Sequence, residues 1–324
     1  MSARYLVRKL VQGALTIFAI VILNFLLFRM MPGSPERVLL RNPNLSAQVI
    51  AATRARWGLD KPLIPDQLVA YVDSAFSGDL GYSLKFRGKP VTEVIGERLW
   101  PTVILIGLGE VVAIIVGLLL GAYAGWRRGS RFDRVASGIS LILYSMPYFV
   151  IGMPLIIVLA AGLHWFPTSG MLQAGASYES GLAQLLDFGR HLVLPLTTVS
   201  LGLIGSYSII MRSSIIETRA EDYITTARAK GLTEGRILRT HAFPNAMLPM
   251  VTIIAINLGY VVGGAITAEV VFNWPGLGTL TVDALSARDY PVLQGVFLLL
   301  SVCVVAANLV ADLVYGFLDP RVRS

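Results

Sequence analysis

Charge is the scarcest property of this chain. Only 15% of its 324 residues are Asp, Glu, Lys or Arg, where a soluble globular domain carries about 25%. That deficit excludes an ordinary soluble enzyme, because too few side chains remain to solvate an exterior. Cysteine is nearly absent as well. Cys303 stands alone in an apolar run, so it forms no intrachain disulfide and says nothing of redox compartment. Histidine is just as sparse: His164, His191 and His241 fall in different segments, without metal-ligand spacing. No Gly-x-x-x-x-Gly-Lys-Ser/Thr phosphate loop occurs, so any ATP must be bound by another chain. No nucleophile–base pattern is readable. The chain is read as non-catalytic and without a cofactor of its own.

What it has is apolar length. Hydrophobic residues make up 55% of the chain and mean hydropathy is +0.67. Six stretches are long enough for a hydrocarbon core that takes about 20 helical residues to cross. They run near Leu10–Met30, Thr102–Trp126, Val135–Leu163, His191–Met211, Met247–Val271 and Val292–Phe317. An all-α membrane protein of six spans follows. Glycines within them, such as Gly117, Gly121, Gly202 and Gly205, favour close helix approach over a hinge role.

The basic residues gather on alternate loops. One side has Arg4, Arg8 and Lys9, then Arg127, Arg128, Arg131 and Arg134. After span four come Arg212, Arg219, Arg228, Lys230, Arg236 and Arg239, and the tail adds Arg321 and Arg323. The short loops opposite hold Arg190 and Arg288. Basic loops stay on the cytoplasmic side, so both termini are expected there. The charges act as topological anchors, and nucleic acid is not needed to explain a pI near 9.6. The run Leu10–Phe28 is longer than the apolar part of a signal peptide, and MMPGSP after it lacks a small-residue cleavage site. An uncleaved first span is expected.

Residues 32–100 form an outer segment with helical signals. Ser46 is placed to cap a helix reaching Trp57. A second helix starts at Pro65, places Leu68, Val72, Ala75 and Phe76 at helical spacing, and stops at Ser77-Gly78. A third, carrying Val91, Val94, Ile95 and Leu99, leads into span two through Trp100-Pro101. A packed cap and a docking surface are both open for this segment. The division is thus 1–31 for the N-terminus and first span, 32–100 for the insert, 101–317 for the core, and 318–324 for the tail.

The core holds one polar insert, DYITTARAKGLTEGRILRTHAFPNAMLP at 222–249. Asp222 to Lys230 reads as a short helix with Tyr223 and Ala227 one turn apart on a shared face. Gly231 is a left-handed stop. Thr233 caps a second helix that ends at Pro244. Two such helices, rimmed by arginine and lysine, make a knob suited to a soluble partner or to anionic lipid.

The insert resembles the signature of binding-protein-dependent ABC importer permeases: Glu-Ala-Ala, three residues, Gly, nine residues, then Ile-x-Leu-Pro. Gly231 and Pro244 keep the thirteen-residue separation of that Gly and Pro, and Ala227 holds the last alanine. Thr225 and Thr226 replace Glu and Ala, and His241 and Phe243 replace Ile and Leu, so the glutamate's role is not carried over. DYITTARAKGL with HAFPNAMLP is more similar to the peptide/nickel branch. RYLVRKL, PGSP, GLDKPL, GDLGYS, EVVFNWPGLG, RDYP and NLVADLVYGFLDPRVR resemble the B-type subunit of dipeptide and oligopeptide permeases. Ser34 stands where Asp is usual.

The resemblance implies a type I importer permease fold and one half of a transmembrane heterodimer. It implies a sister permease, two ATP-binding domains that hold ATP and magnesium, and an external binding protein delivering peptide. Alternating access is the implied mechanism, with nickel chelate or glutathione as alternative cargo. A self-contained secondary transporter would need inverted repeats and more charge at depth. ATPase coupling is assigned to Asp222, Tyr223, Ala227, Arg228, Ala229, Lys230, Gly231, His241 and Pro244, within a coupling element at 219–244. Candidates for the translocation path are Glu110, an ionisable group inside span two, and Tyr207, Asn257 and Tyr260. For each, helix–helix bonding is the competing role.

Overall fold

Glycine and proline decide where the long apolar helices approach, bend and stop. The computed structural model describes residues 3–30, 61–86, 88–261 and 266–318, with positions 47, 48, 51 and 55. Among the described residues there is no β-strand, only an isolated bridge between Tyr82 and Pro90. The elements are α1 (Ala3–Met30), α2 (Leu68–Ser77), α3 (Val91–Trp126), α4 (Arg131–Ser145), α5 (Tyr148–Leu155) and α6 (Gly181–Arg219). There follow α7 (Asp222–Ala229), α8 (Glu234–Ile237), α9 (Phe243–Tyr260), α10 (Ile266–Val271), α11 (Leu277–Ala287) and α12 (Tyr290–Leu318).

Among the described residues five helices are long and apolar enough to cross a membrane, or six if a bent pair is taken as one span. That pair covers the span expected near Val135–Leu163, and it is broken. Its two parts, Arg131–Ser145 and Tyr148–Gly162, meet at 103°. Pro147 is the cause: it forces Met146 to extended backbone, φ −85° and ψ 127°, and ends α4. Span four is longer than expected, since α6 has 39 residues. Span five lies earlier in the chain than expected, at Glu234–Leu258. The third outer helix is not separate, as its residues are the first turns of α3. The helix expected from Ser46 to Trp57 lies largely outside the described residues. The helix expected after Pro65 is α2, stopped at Gly78 with φ 73°.

The centre of the fold is α3 against α6. Along α3, Gly117, Gly121 and Gly125 face α6 at backbone distance. A Cβ on Gly117 would lie 2.6 Å from Tyr207 Cβ, and one on Gly121 would strike the Ser208 carbonyl. These glycines are packing residues, and they let two long helices touch without side chains between them.

Motifs far apart in sequence close the opposite end. Asp289, fully buried, accepts from Ser83 Oγ at 2.5 Å and from the Lys85 amide at 2.9 Å. Lys85 reaches Asp283 at 2.7 Å. Trp274 donates its indole N–H to the Pro101 carbonyl at 2.9 Å. Glu269 is fully buried and accepts from Thr102 Oγ1 and the Gly278 amide, both at 2.7 Å, and from the Thr279 amide at 3.3 Å. Its carboxylate thereby satisfies the N-terminal amides of α11. Asn24 ties α1 to α2 and α12, donating to Tyr71 Oη and the Gln294 carbonyl at 3.0 Å each.

Candidate functional site

The polar insert folds as a knob with a buried root. Ile224 and Ala227, three residues apart in α7, point inward, and Ile237 of α8 joins them. The three belong to one apolar cluster with Tyr207, Met211 and Ile215 of α6 and Ala246 and Met250 of α9. The knob therefore has no separate core of its own. Gly231 adopts φ 78°, and the Leu232 amide returns to the Ala227 carbonyl at 3.3 Å. The expected left-handed stop is present.

Tyr223 and Ala227 stand one turn apart, yet Tyr223 is 40% exposed, whereas Ala227 is 5% exposed and packs on the spans with Ile224. Two expectations for the insert need correction. Thr233 occupies the cap position, but its side chain makes no capping bond, and the α8 amides of Arg236 and Ile237 reach its carbonyl. Pro244 does not end the helix. A π turn at Leu238–Ala242 widens the backbone just before it, and the helical path continues from Glu234 to Leu258. The wider turn accommodates the missing N–H and the ring of proline. Asn245 Nδ2 also donates to the His241 carbonyl at 2.6 Å.

The solvent face of the knob carries Asp222, Tyr223, Arg228, Ala229, Lys230 and Gly231, with Pro244 exposed and His241 half-buried. Asp222 lies in the first turn of α7 and complements its dipole. Trp126, the last residue of α3, fastens the knob to the spans. Its carbonyl accepts from Arg219 Nη1 at 2.6 Å. The Arg219 and Arg228 guanidiniums lie 5.5 Å and 5.8 Å from its ring. Arg228 also pairs with Glu234 at 2.8 Å. On the neighbouring turn, Arg212 grips Asp133 at 2.5 Å and 3.0 Å. Several arginines counted as topological anchors thus also serve as internal ties.

Three of the four path candidates meet. Glu110 of α3 accepts from the Tyr207 hydroxyl of α6 in a short hydrogen bond. The same hydroxyl accepts from Asn257 Nδ2 of α9 at 2.9 Å. Glu110 is 2% exposed and Tyr207 fully buried, and this polar line joins three helices. The side chain of Tyr260 lies outside the described residues. Among the described residues no cluster of His, Cys, Asp and Glu suits a metal ion.

Sequence reasoning missed Trp126, Asp133, Glu269 and Asp289. Glu269 carried a usable signal, an acid at the end of an apolar span. Ser130 and Asp133 also form a capping pair, with the Asp133 amide 3.1 Å from Ser130 Oγ. Asp289 and Ser83 are 206 residues apart, beyond the reach of any local pattern.

Bundled apolar helices, a polar knob rooted among them and a buried polar line are the architecture of a membrane transport subunit. Residues 117–324 match the family described as "Binding-protein-dependent transport system inner membrane component", and residues 2–105 match its N-terminal family. The chain belongs to this family. It is 38% identical over 99% of both chains to a candidate peptide permease of Brucella suis biovar 1 (strain 1330). It is 39% identical to the "Probable peptide ABC transporter permease protein y4tP" of Sinorhizobium fredii, over 98% of this chain and 99% of that one. With the "Glutathione transport system permease protein GsiC" of Escherichia coli (strain K12) the identity is 37% over 98% of each. In fold it is similar to a chain of the inward-facing MetNI methionine ABC transporter, with TM-score 0.58 and 18% identity, covering 72% of this chain and 99% of that one. The fold is that of a type I ABC importer permease.

Proposed function

We propose that this chain is the transmembrane permease subunit of an ATP-driven, binding-protein-dependent importer of short peptides. It forms half of the path with a sister permease in a bacterial inner membrane, both termini cytoplasmic. Two ATP-binding domains dock on the knobs and an external protein delivers cargo. The observation that carries this reading is the knob itself. Its exposed face is free for a partner, while Ile224, Ala227 and Ile237 root it in the cluster formed by α6 and α9. Movement of a docked domain is thereby passed to the spans. Relatives named for peptide and glutathione transport support a small peptide as cargo; a glutathione-like tripeptide is the second reading.

A mild-detergent pull-down of the tagged chain tests it. Recovery of a second multi-span permease and an ATPase is the expected result, and recovery of this chain alone sinks the reading. Tyr223→Ala and Lys230→Glu should lower ATPase recovery at least fivefold while the chain itself accumulates normally. Ala227→Arg acts differently: it places a charge among apolar side chains and should reduce accumulation of the chain before docking is reached.

A further inference from the structure

The end of the molecule away from the knob holds a second built site. Between the turn after α5 and the early turns of α6 is a cavity of about 410 Å³ lined by His164, Trp165, Phe166, Asp187, Arg190 and His191, among others. Its floor is preset. Asp187 Oδ2 accepts from the Tyr178 hydroxyl at 2.6 Å and from the Gln173 amide at 2.8 Å. These bonds hold the 163–180 loop against α6.

His191 is 6% exposed. Its Nδ1 lies 2.9 Å from the Asp187 carbonyl and 3.4 Å from Asp187 Oδ1. Both neighbours are acceptors, so Nδ1 carries the hydrogen. The other ring nitrogen, Nε2, is left for whatever enters the cavity. Arg190 lies on the adjacent turn and makes no hydrogen bond or ion pair among the described residues. Trp165 is 65% exposed at the wall, and His164 beside it holds a left-handed φ of 55°.

A guanidinium that faces the charge of Asp187 without a hydrogen bond to it, an oriented imidazole and two aromatic walls match one kind of ligand. The fork of an arginine pairs with a carboxylate through two parallel bonds. The imidazole meets a neighbouring amide, and the aromatic faces cover an apolar side chain. We propose that this cup binds the free C-terminal carboxylate end of a short peptide before it enters the path. The proposal rests on the reading of peptide cargo and of this face as external.

Purified full chain in lipid nanodiscs is titrated with tri-alanine and with its C-terminal amide, reading tryptophan emission. The expected result is a saturable change with the free acid that disappears in Trp165→Phe. The amide, and the free acid with Arg190→Gln, should bind at least tenfold more weakly. Arg190 is exposed, so this variant leaves the fold intact, checked by circular dichroism. Equal binding of acid and amide, an unaffected Arg190→Gln, or no saturable response each overturns the proposal. Failure of the cup leaves the subunit pull-down unchanged. Failure of the importer reading shows in the pull-down while binding to the isolated chain persists.

Discussion

Two of the buried carboxylates, Glu269 and Glu110, are held in opposite ways. Glu269 has three donors from three residues, two of them amides at the start of α11. Glu110 has one donor, the Tyr207 hydroxyl, which in turn holds Asn257 of α9. A carboxylate enclosed by amides of its own helix junction is a fixed post, because every donor would be orphaned by moving it. One held by a single hydroxyl, with the next helix hung on the same oxygen, is a joint. Exchanging one such hydrogen bond changes net stability by only about 0.5–1.5 kcal/mol. The difference lies in what each donor is attached to, rather than in depth of burial.

That contrast is breakable. The largest effect is expected from Glu269→Ala, which orphans Thr102 and two α11 amides at about 1–3 kcal/mol for each unsatisfied group. Thermal unfolding in detergent should show a loss of many degrees or no folded chain. A near-unchanged transition would remove the fixed-post role. Tyr207→Phe comes next, at about 1–2 kcal/mol, since Glu110 and Asn257 lose their shared partner. Its effect on uptake should exceed its effect on stability, and the reverse order would make the line purely structural. Glu110→Gln should cost under about 1 kcal/mol, because the amide oxygen still accepts from Tyr207. A stability loss equal to that of Glu269→Ala would erase the distinction.

The smallest expected change concerns Asp133, a buried carboxylate at the edge of the bundle. Arg212 donates to both of its oxygens, and Asp133→Asn removes that charge pairing. Asp133→Asn should lower the unfolding temperature by the same amount at every pH from about 5 to 9. A difference that varies across that range would show another titrating group at work.

The spans were legible in the sequence because apolar length is a local property, as with Val292–Phe317 inside α12. The break before Pro147 was legible too, through the restriction that proline imposes on Met146, yet a continuous hydropathy run concealed it. Burial of Ala227 was open to the same helical period that places Ile224. Polarity at depth nominated Glu110, Tyr207 and Asn257 one at a time. Their meeting depends on how α3, α6 and α9 pack, which no single segment encodes. The π turn before Pro244 lay out of reach for the same reason, since a proline in sequence reads as a stop.

That π turn has a consequence for how distant events are linked. It makes knob and fifth span one rod from Glu234 to Leu258, 25 residues long, or about 37 Å at 1.5 Å per residue. Asn257 rides near its far end. Under the proposed docking, free energy spent on shifting the near end would appear as altered strength of the Tyr207–Asn257 bond, and linkage would make that traffic reciprocal. Loosening the bond deep in the bundle should change how tightly the knob's partner binds, by the same factor that the partner's binding changes the bond.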